Sequence, residues 1–348
     1  MWDFKNEFSN DIPERVIKKF QKYFIGNVGR NALLSNEQFK LTDMLEKAGI
    51  LVMPLKGPFL SYVVYGNDSL RFSSDIDIFV KESHAIEARD LLIANGYQSL
   101  DKIDFKYDNF YLKIEHAFNL HNPNNNICVD LQWKILGSYT SEPITIEKIE
   151  SKLIKQHYGD RFINQLSPEY LLFYLCVHGS KDGWRKFEWI CCISEFLKKH
   201  TDFDWEEIYR LSKKENCFKK LLLGLFLAKS LCDAPLPQKA DTYIKQNPTV
   251  INAGRKFIEL YLNNKSVAAS FTDNSTFSPF NLQIQDDWRN IARYIIRQIF
   301  KPTAKDLSLF PLHKKLVFLY YIYRPLRLLW RIFIYSFNKF SRKSSKIF

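Results

Sequence analysis

The sequence predicts an α+β fold: a small mixed-sheet core preceded by helices and followed by an all-helical domain. Strand-like patterns fall between residues 49 and 140 and fade from about 145 onward, where helical patterns take over. Only 12 Gly and 13 Pro among 348 residues argue against a loop-rich, all-β architecture. A hydrophobic content of 46% with 25% charged residues excludes a disordered or collagen-like chain. At roughly 100–200 residues per domain, the length suits two domains.

The elements follow in order. Two N-terminal helices, about Asp11–Ile25 and Asn36–Ala48, end at Gly49. Ile50-Leu51-Val52-Met53 reads as a strand, followed by the turn Lys56-Gly57-Pro58 and a helix through Phe59–Tyr65, with Pro58 suited to the first helical turn. Asp75–Val80, DIDIFV, alternates as a half-buried strand does. Glu82–Asn95 is an amphipathic helix stopped by Gly96. Phe105–Leu120 and Ile127–Ile135 read as strands around the turn at 122–126. Beyond them, Ser167-Pro168-Glu169 opens a helix through Tyr170–Gly179. Trp184–Lys199, Trp205–Lys213, Phe218–Leu231 and Pro248–Leu262 continue the helical series, and Ser266–Asn281 is a polar linker. The expected domains are N-terminal helices 1–48, a core 49–140, a helical domain 141–300 and a distinct segment 301–348.

The formal net charge of +12 is unevenly placed. Residues 301–348 hold 11 Lys/Arg and a single acid, Asp306, which gives +10 and leaves +2 for residues 1–300. The pI therefore says little about the body of the chain. Leu316–Phe337 is long enough to span a bilayer but contains Arg324, Arg327 and Arg331. Three central arginines cost about 7–10 kcal/mol against about 4–7 kcal/mol returned by the apolar residues, so spanning is excluded. As a helix, Arg324, Arg327, Arg331, Lys339, Arg342 and Lys346 share one face, and Leu326, Leu329, Trp330, Phe333, Phe337 and Phe340 the other. Such a helix suits docking on the helical domain, an anionic membrane surface contacted by 324–346, or, less well, nucleic-acid phosphates. The N-terminus lacks a signal-peptide pattern, and the six cysteines show no zinc spacing. A cytoplasmic protein with reduced thiols is expected, with peripheral contact at the inner membrane face as an option.

Three acids carry the chemical reading. Asp75 and Asp77 flank Ile76, so on a strand both project from one face. Asp130 lies in a second apolar strand, Cys128-Val129-Asp130-Leu131. If the strands are neighbours the carboxylates converge, and two like charges about 4 Å apart repel by about 4 kcal/mol at an effective dielectric near 20. Divalent cations such as Mg²⁺, or Mn²⁺, reverse that cost, and two of them clamp the attacking and leaving oxygens of a phosphoryl displacement. Lys56-Gly57 at a strand-to-helix turn offers a close backbone approach and positive charge to an anion, and Arg71 adds a forked donor. As a bland alternative, Lys56 and Arg71 are ion-pair partners of these same acids.

Residues 55–80, LKGPFLSYVVYGNDSLRFSSDIDIFV, resemble the nucleotidyltransferase core of the DNA polymerase β-like superfamily. Within it the chain is similar to a bacterial group of uncharacterised nucleotidyltransferases that carry Lys-Gly where most members have Gly-Ser. Matching residues are Lys56-Gly57, Arg71, Ser74-Asp75-Ile76-Asp77, Asp130-Leu131-Gln132-Trp133 and, in the helical half, His178-Gly179-Ser180-Lys181-Asp182-Gly183-Trp184. Gln132 and Asp182 stand where the group has His, and Cys192 where it has Asp. The resemblance implies transfer of NMP from an NTP such as ATP to an acceptor, with release of pyrophosphate. It implies a metal and catalytic set of Asp75, Asp77 and Asp130, and a nucleotide-binding set of Lys56, Gly57, Arg71 and Ser74. His178, Lys181 and Trp184 become candidates for base or acceptor contact. The near-neutral body favours a small molecule, such as a sugar or polysaccharide precursor, as acceptor. A toxin-like enzyme acting on tRNA or protein, and a non-catalytic nucleotide-binding or membrane-peripheral adaptor, are the alternatives.

Overall fold

A computed structural model describes residues 12–101, 104–136, 144–263 and 279–344, with side chains described to 334 and not at 105. The chain divides into two compact units. The first comprises residues up to Ser99, Phe118–Gln132 and Ile149–Ser167, and the second the remainder.

The first unit opens with one helix, α1 (Glu14–Lys47), where the sequence suggests two. Gly26 and Gly29 lie in its interior, where each glycine costs about 1 kcal/mol against alanine. The polar residues between and beside them offset that cost. Asn27, Arg30 and Asn31 donate side-chain hydrogen bonds to the carbonyl oxygens of Asp68, Ser69, Arg71, Ser73 and Ser74. A stretch that reads as a helix break is therefore a helical segment holding a loop. β1 (Val52–Pro54), α2 (Gly57–Tyr65), β2 (Ile76–Val80), α3 (Ala85–Ala94) and β3 (Gln98–Ser99) follow.

The expected strand over 105–120 is a strand only at its end. A 3₁₀ turn, Phe105–Tyr107, and α4 (Asp108–Ile114) precede β4 (Ala117–Asn122). Tyr107, Tyr111 and Ile114 are buried at helical spacing, and this unit-two helix packs Tyr107 and Ile114 against Leu307 and Tyr320. β5 (Ile127–Gln132) completes a mixed sheet in the order β1-β2-β5-β4-β3. β1 is antiparallel to β2, and β2 is parallel to β5. Ile76, Ile78, Val129 and Leu131 are buried on one face of the two central strands.

Strand signals do not end at 145. After α5 (Ile146–Ile149), β6 (Leu153–Tyr158) and β7 (Arg161–Leu166) form an antiparallel hairpin. Gly159 supplies the positive φ of its turn, and Asn164 Nδ2 donates to Val52 O at 2.8 Å.

The second unit gathers α6 (Pro168–Lys181), α7 (Phe187–Lys199), α8 (Trp205–Lys214), α9 (Phe218–Cys232), α10 (Gln238–Lys245) and α11 (Pro248–Leu262). α9 packs against the other five. Gly224 is needed there, because a Cβ would lie 2.6 Å from Cys176 Sγ. The described cysteines are free thiols. α12 (Pro279–Gln283), α13 (Trp288–Phe300), α14 (Ala304–Leu309) and α15 (Tyr320–Ser344) complete the chain. No described helix is long and apolar enough to cross a membrane. In α15 it is the arginine side that docks, through Arg324 and Arg327 on Asp306, while Leu326, Leu329, Trp330 and Phe333 are exposed. Internal docking of the apolar face is thus not what the fold shows. Lys346 lies outside the described residues, as do the side chains of Phe337, Lys339, Phe340 and Arg342.

Candidate active site

The parallel pairing of β2 with β5 sets Asp77 directly opposite Asp130, on strands about 4.8 Å apart. Side chains alternate along a strand, so Asp75, Asp77 and Phe79 share a face with Cys128, Asp130 and Gln132. The opposite face, with Ile76, Ile78, Val129 and Leu131, is apolar core, and this division sets the acids together on the other face. Asp77 is only 3% exposed, whereas Asp75 and Asp130 are half-buried.

Lys56 and Gly57 arrive at the same place through β1. Leu55 N donates to Asp77 O at 3.3 Å, and Lys56 Nζ reaches Asp77 Oδ1 at 3.1 Å. Gly57 begins α2 at φ +69°, a backbone conformation that favours glycine. A Cβ there would sit 3.5 Å from Asp75 O, so the constraint is conformational rather than steric. Gln132 Nε2 also donates to Asp77 Oδ1. Gln132, where the resemblance leads one to expect a His, therefore touches the central acid itself. Lys56 is an ion-pair partner of Asp77 in this arrangement.

Arg71 is buried, and its backbone is fixed from two sides. Its N–H donates to Ser61 Oγ at 3.0 Å, and its carbonyl accepts from Asn31 Nδ2 at 2.7 Å. Ser74 Oγ donates to Asp75 Oδ1 at 3.0 Å. Arg30 clamps the approach to β2, donating from Nε to Ser73 O at 2.7 Å and from Nη2 to Ser74 O at 2.6 Å. Sequence reading missed Asn27, Arg30 and Asn31. The only available signal was the polar run inside a helical pattern, which propensity assigns to a loop.

The carboxylates suit a hard divalent cation in kind and in strand placement. As they stand they do not close around one. Among the described residues no group of three or more His, Cys, Asp or Glu is arranged to hold a metal ion. Among the described residues, Glu115, His116 and His121 belong to no such group either. Glu115 accepts from Ala304 N at 2.8 Å, and its carboxyl is raised by burial. His121 Nε2 pairs with Asn126 Oδ1 at 2.8 Å.

His178, Lys181 and Trp184 belong to the second unit. His178 stacks on Tyr174 with ring centroids 5.6 Å apart, and its Nδ1 lies 3.5 Å from Asp182 Oδ2. Asp182, the second departure, is thus a carboxylate partner for this imidazole. Lys181 ends α6 half-buried. Trp184 is fully buried against Gly179, where a Cβ would lie 2.3 Å from the indole. Cys192, the third departure, is buried in α7.

A family model described as an uncharacterised nucleotidyltransferase matches residues 5–233. No curated protein matches significantly. Among solved structures, the solution structure of the antibiotic-resistance factor ANT(2'')-Ia aligns at TM-score 0.37 and 11% identity, over 54% of this chain and 91% of that one. ANT(2")-Ia in complex with adenylyl-2"-tobramycin aligns at 0.36 and 11%, over 53% and 95%. An antigenic nucleotidyltransferase-like protein from Paracoccidioides brasiliensis aligns at 0.34 and 12%, over 58% and 88%.

Proposed function

Because this chain belongs to the uncharacterised nucleotidyltransferase family, we propose that it moves a nucleoside monophosphate from an NTP to the hydroxyl of a small acceptor, releasing pyrophosphate. The observation that carries this reading is the in-register pair Asp77–Asp130, with Lys56 and the N-terminus of α2 beside it.

Asp75, Asp77 and Asp130 would hold divalent cations, Mg²⁺ by donor type, which supply charge neutralisation at the attacking and leaving oxygens. Lys56 leaves Asp77 Oδ1 when the triphosphate enters and pairs with the β- and γ-phosphates. A lysine suits that exchange, being a point charge on a flexible stem. The Gly57 N–H at the start of α2, together with Arg71 and Ser74, lines the same anion. Asp130 accepts the acceptor's hydroxyl proton. The acceptor oxygen then bonds to the α-phosphorus, the α–β bridging P–O bond breaks, and pyrophosphate departs with that oxygen. A small acceptor, such as a sugar or polysaccharide precursor, is favoured because residues 1–300 carry only +2, the +10 of 301–348 being subtracted from +12.

The test is to incubate the purified chain with each labelled NTP, Mg²⁺ or Mn²⁺ and a panel of hydroxyl acceptors, measuring pyrophosphate. Asp75→Ala/Asp77→Ala is the control. Metal-dependent turnover in the wild type alone is expected. Tight NTP binding by calorimetry without pyrophosphate release from any acceptor would replace this reading with a nucleotide-binding adaptor, which the Gln132–Asp77 contact favours. A labelled product that is tRNA or protein would move the acceptor to the macromolecular class.

A further inference from the structure

The segment from Lys301 holds a second charged constellation, remote in sequence from the acids of β2 and β5. Asp306 is fully buried and is the only acid among residues 301–348. Its carboxylate accepts from Thr303 N and Oγ1, each at 2.8 Å, from Arg324 Nη1 at 3.1 Å and from Arg327 Nε at 2.6 Å. Arg324 also donates from Nε and Nη2 to Gln298 O at 3.2 and 3.1 Å. Tyr320, at the start of α15, is buried, its hydroxyl donating to Phe310 O and accepting from Leu312 N. One side of α15 is thereby fixed inward by its polar residues.

This inverts the usual polarity of a surface helix, which buries its apolar stripe. At 100° per residue, Ile322, Leu326, Leu329, Trp330 and Phe333 fall within an arc of about 100° roughly opposite the two docked arginines. All five are exposed, Leu329 and Trp330 at 63% each. Trp330 and Phe333 stack at 5.9 Å and extend the same surface. The turn leading into the helix presents the exposed pair Lys314 and Lys315 beside exposed Leu316 and Phe318.

We propose that this outward face of α15 lies in the plane of an anionic lipid bilayer, with Leu326, Leu329, Trp330 and Phe333 seated at the acyl boundary. Charge selects this occupant over the others. Outside the Asp306 cluster with Arg324 and Arg327, the segment keeps nine Lys/Arg and no acid, and such a charge is attracted to anionic headgroups at about 1 kcal/mol per basic residue that comes near the surface. A second copy packed on this face would bring two such segments together, against their mutual repulsion. Nucleic-acid phosphates would neutralise the charge but leave the leucine and aromatic side chains in water. An interfacial helix satisfies both, because the apolar arc enters the acyl boundary while the exposed Lys314 and Lys315 of the preceding turn, beside exposed Leu316 and Phe318, meet the headgroups. Trp330 is the residue type that settles at that boundary. With Arg324 and Arg327 bound to Asp306 on the far side, the helix is presented to the bilayer as a preformed surface.

Flotation of the full-length chain with vesicles tests this. Vesicles of phosphatidylcholine alone are compared with vesicles containing about 30% phosphatidylglycerol, a content that gives a negative surface potential. Binding to the anionic vesicles is expected, with the neutral ones at least about 10-fold weaker. Leu326→Glu/Leu329→Glu should lower affinity for anionic vesicles by at least about 10-fold. Both positions are exposed, so folding is preserved; unchanged circular dichroism and an unchanged melting point are the check. Truncation after 328 serves as a second variant and should abolish flotation. Absence of flotation at low salt would overturn the proposal. So would equal flotation by wild type and the double variant, or a wild-type dimer in light scattering that the double variant dissociates while neither floats.

Discussion

Two buried aspartates invite comparison, one in each unit. Asp77 is held by Lys56 and Gln132, whose donors both reach the same oxygen, Oδ1. Asp306 is held across both oxygens, by Thr303 twice and by Arg324 and Arg327 once each. Arginine is a rigid, permanently charged fork and lysine a flexible point charge. The Asp306 arrangement is therefore a closed structural knot, whereas the contacts on Asp77 suit exchange. A buried carboxylate beside a basic side chain has no fixed meaning; the number, rigidity and placement of its donors decide it.

Asp306→Ala should break the comparison most visibly. It strands two buried guanidiniums, and breaking a buried pair in this way costs about 3–5 kcal/mol. Urea unfolding of the full chain should show that loss, with NTP affinity unchanged. A loss under about 1 kcal/mol would mean that the knot is not structural. Asp77→Asn should do the reverse. Turnover in the pyrophosphate assay should fall by about 10²–10³-fold or more, the scale of removing one preorganised electrostatic contact. Stability should stay within about 1 kcal/mol, since Lys56 keeps access to water. Full activity in Asp77→Asn would dismantle the proposed metal set.

The legibility of the two aspartates in the sequence differed in the same way. Asp75, Asp77 and Asp130 could be placed on one face because strand alternation is a local rule, and the structure pairs their strands in the register that makes it count. The alternation seen across 105–114 was overridden by packing against residues some 200 positions later, which no local pattern encodes. The hairpin 153–166 escaped because its outer strand buries only Tyr158 and carries Lys155, Gln156 and His157 within it. In the described part of the C-terminal helix, the helical wheel set Arg324 and Arg327 apart from Leu326, Leu329, Trp330 and Phe333, as the structure does. It could not say which side faces inward, because that depends on one acid, Asp306, brought beside Arg324 by the fold.

Arg30 sharpens the contrast at a smaller scale, since it serves the acidic face without touching an acid through a described contact. Its two bonds to the carbonyls of Ser73 and Ser74 fix the chain just before Asp75. Arg30→Ala should cost about 1–2 kcal/mol, less than two fully buried charged hydrogen bonds because one is solvent-exposed. If Arg30 positions Asp75, turnover should fall more than that stability loss explains, with Arg30→Lys restoring only part of it. Equal kcat in wild type and Arg30→Ala would reduce the contact to a structural one.

The smallest expected effect is a pH dependence that belongs to Asp306. Burial pushes its carboxyl up, but the Thr303 hydroxyl and amide, with Arg327 and Arg324, outweigh burial and hold it below the ordinary carboxylate value of 3.8. Between that lowered value and 3.8 the unfolded chain binds a proton that the folded chain does not, so stability rises with pH across this window. Asp306 therefore contributes its full share above 3.8 and loses it as pH falls through the folded value. Glu115 acts in the opposite sense, because burial raises its carboxyl, and its contribution is lost as pH rises through the folded value. Comparing wild type with Asp306→Asn removes the titration of Asp306 while Glu115 remains in both chains. The gap between their urea midpoints should stay constant from pH 7 to about 5 and close only below about 4. A gap that already narrows between pH 7 and 5 would mean that burial, rather than the arginines, sets the charge of Asp306.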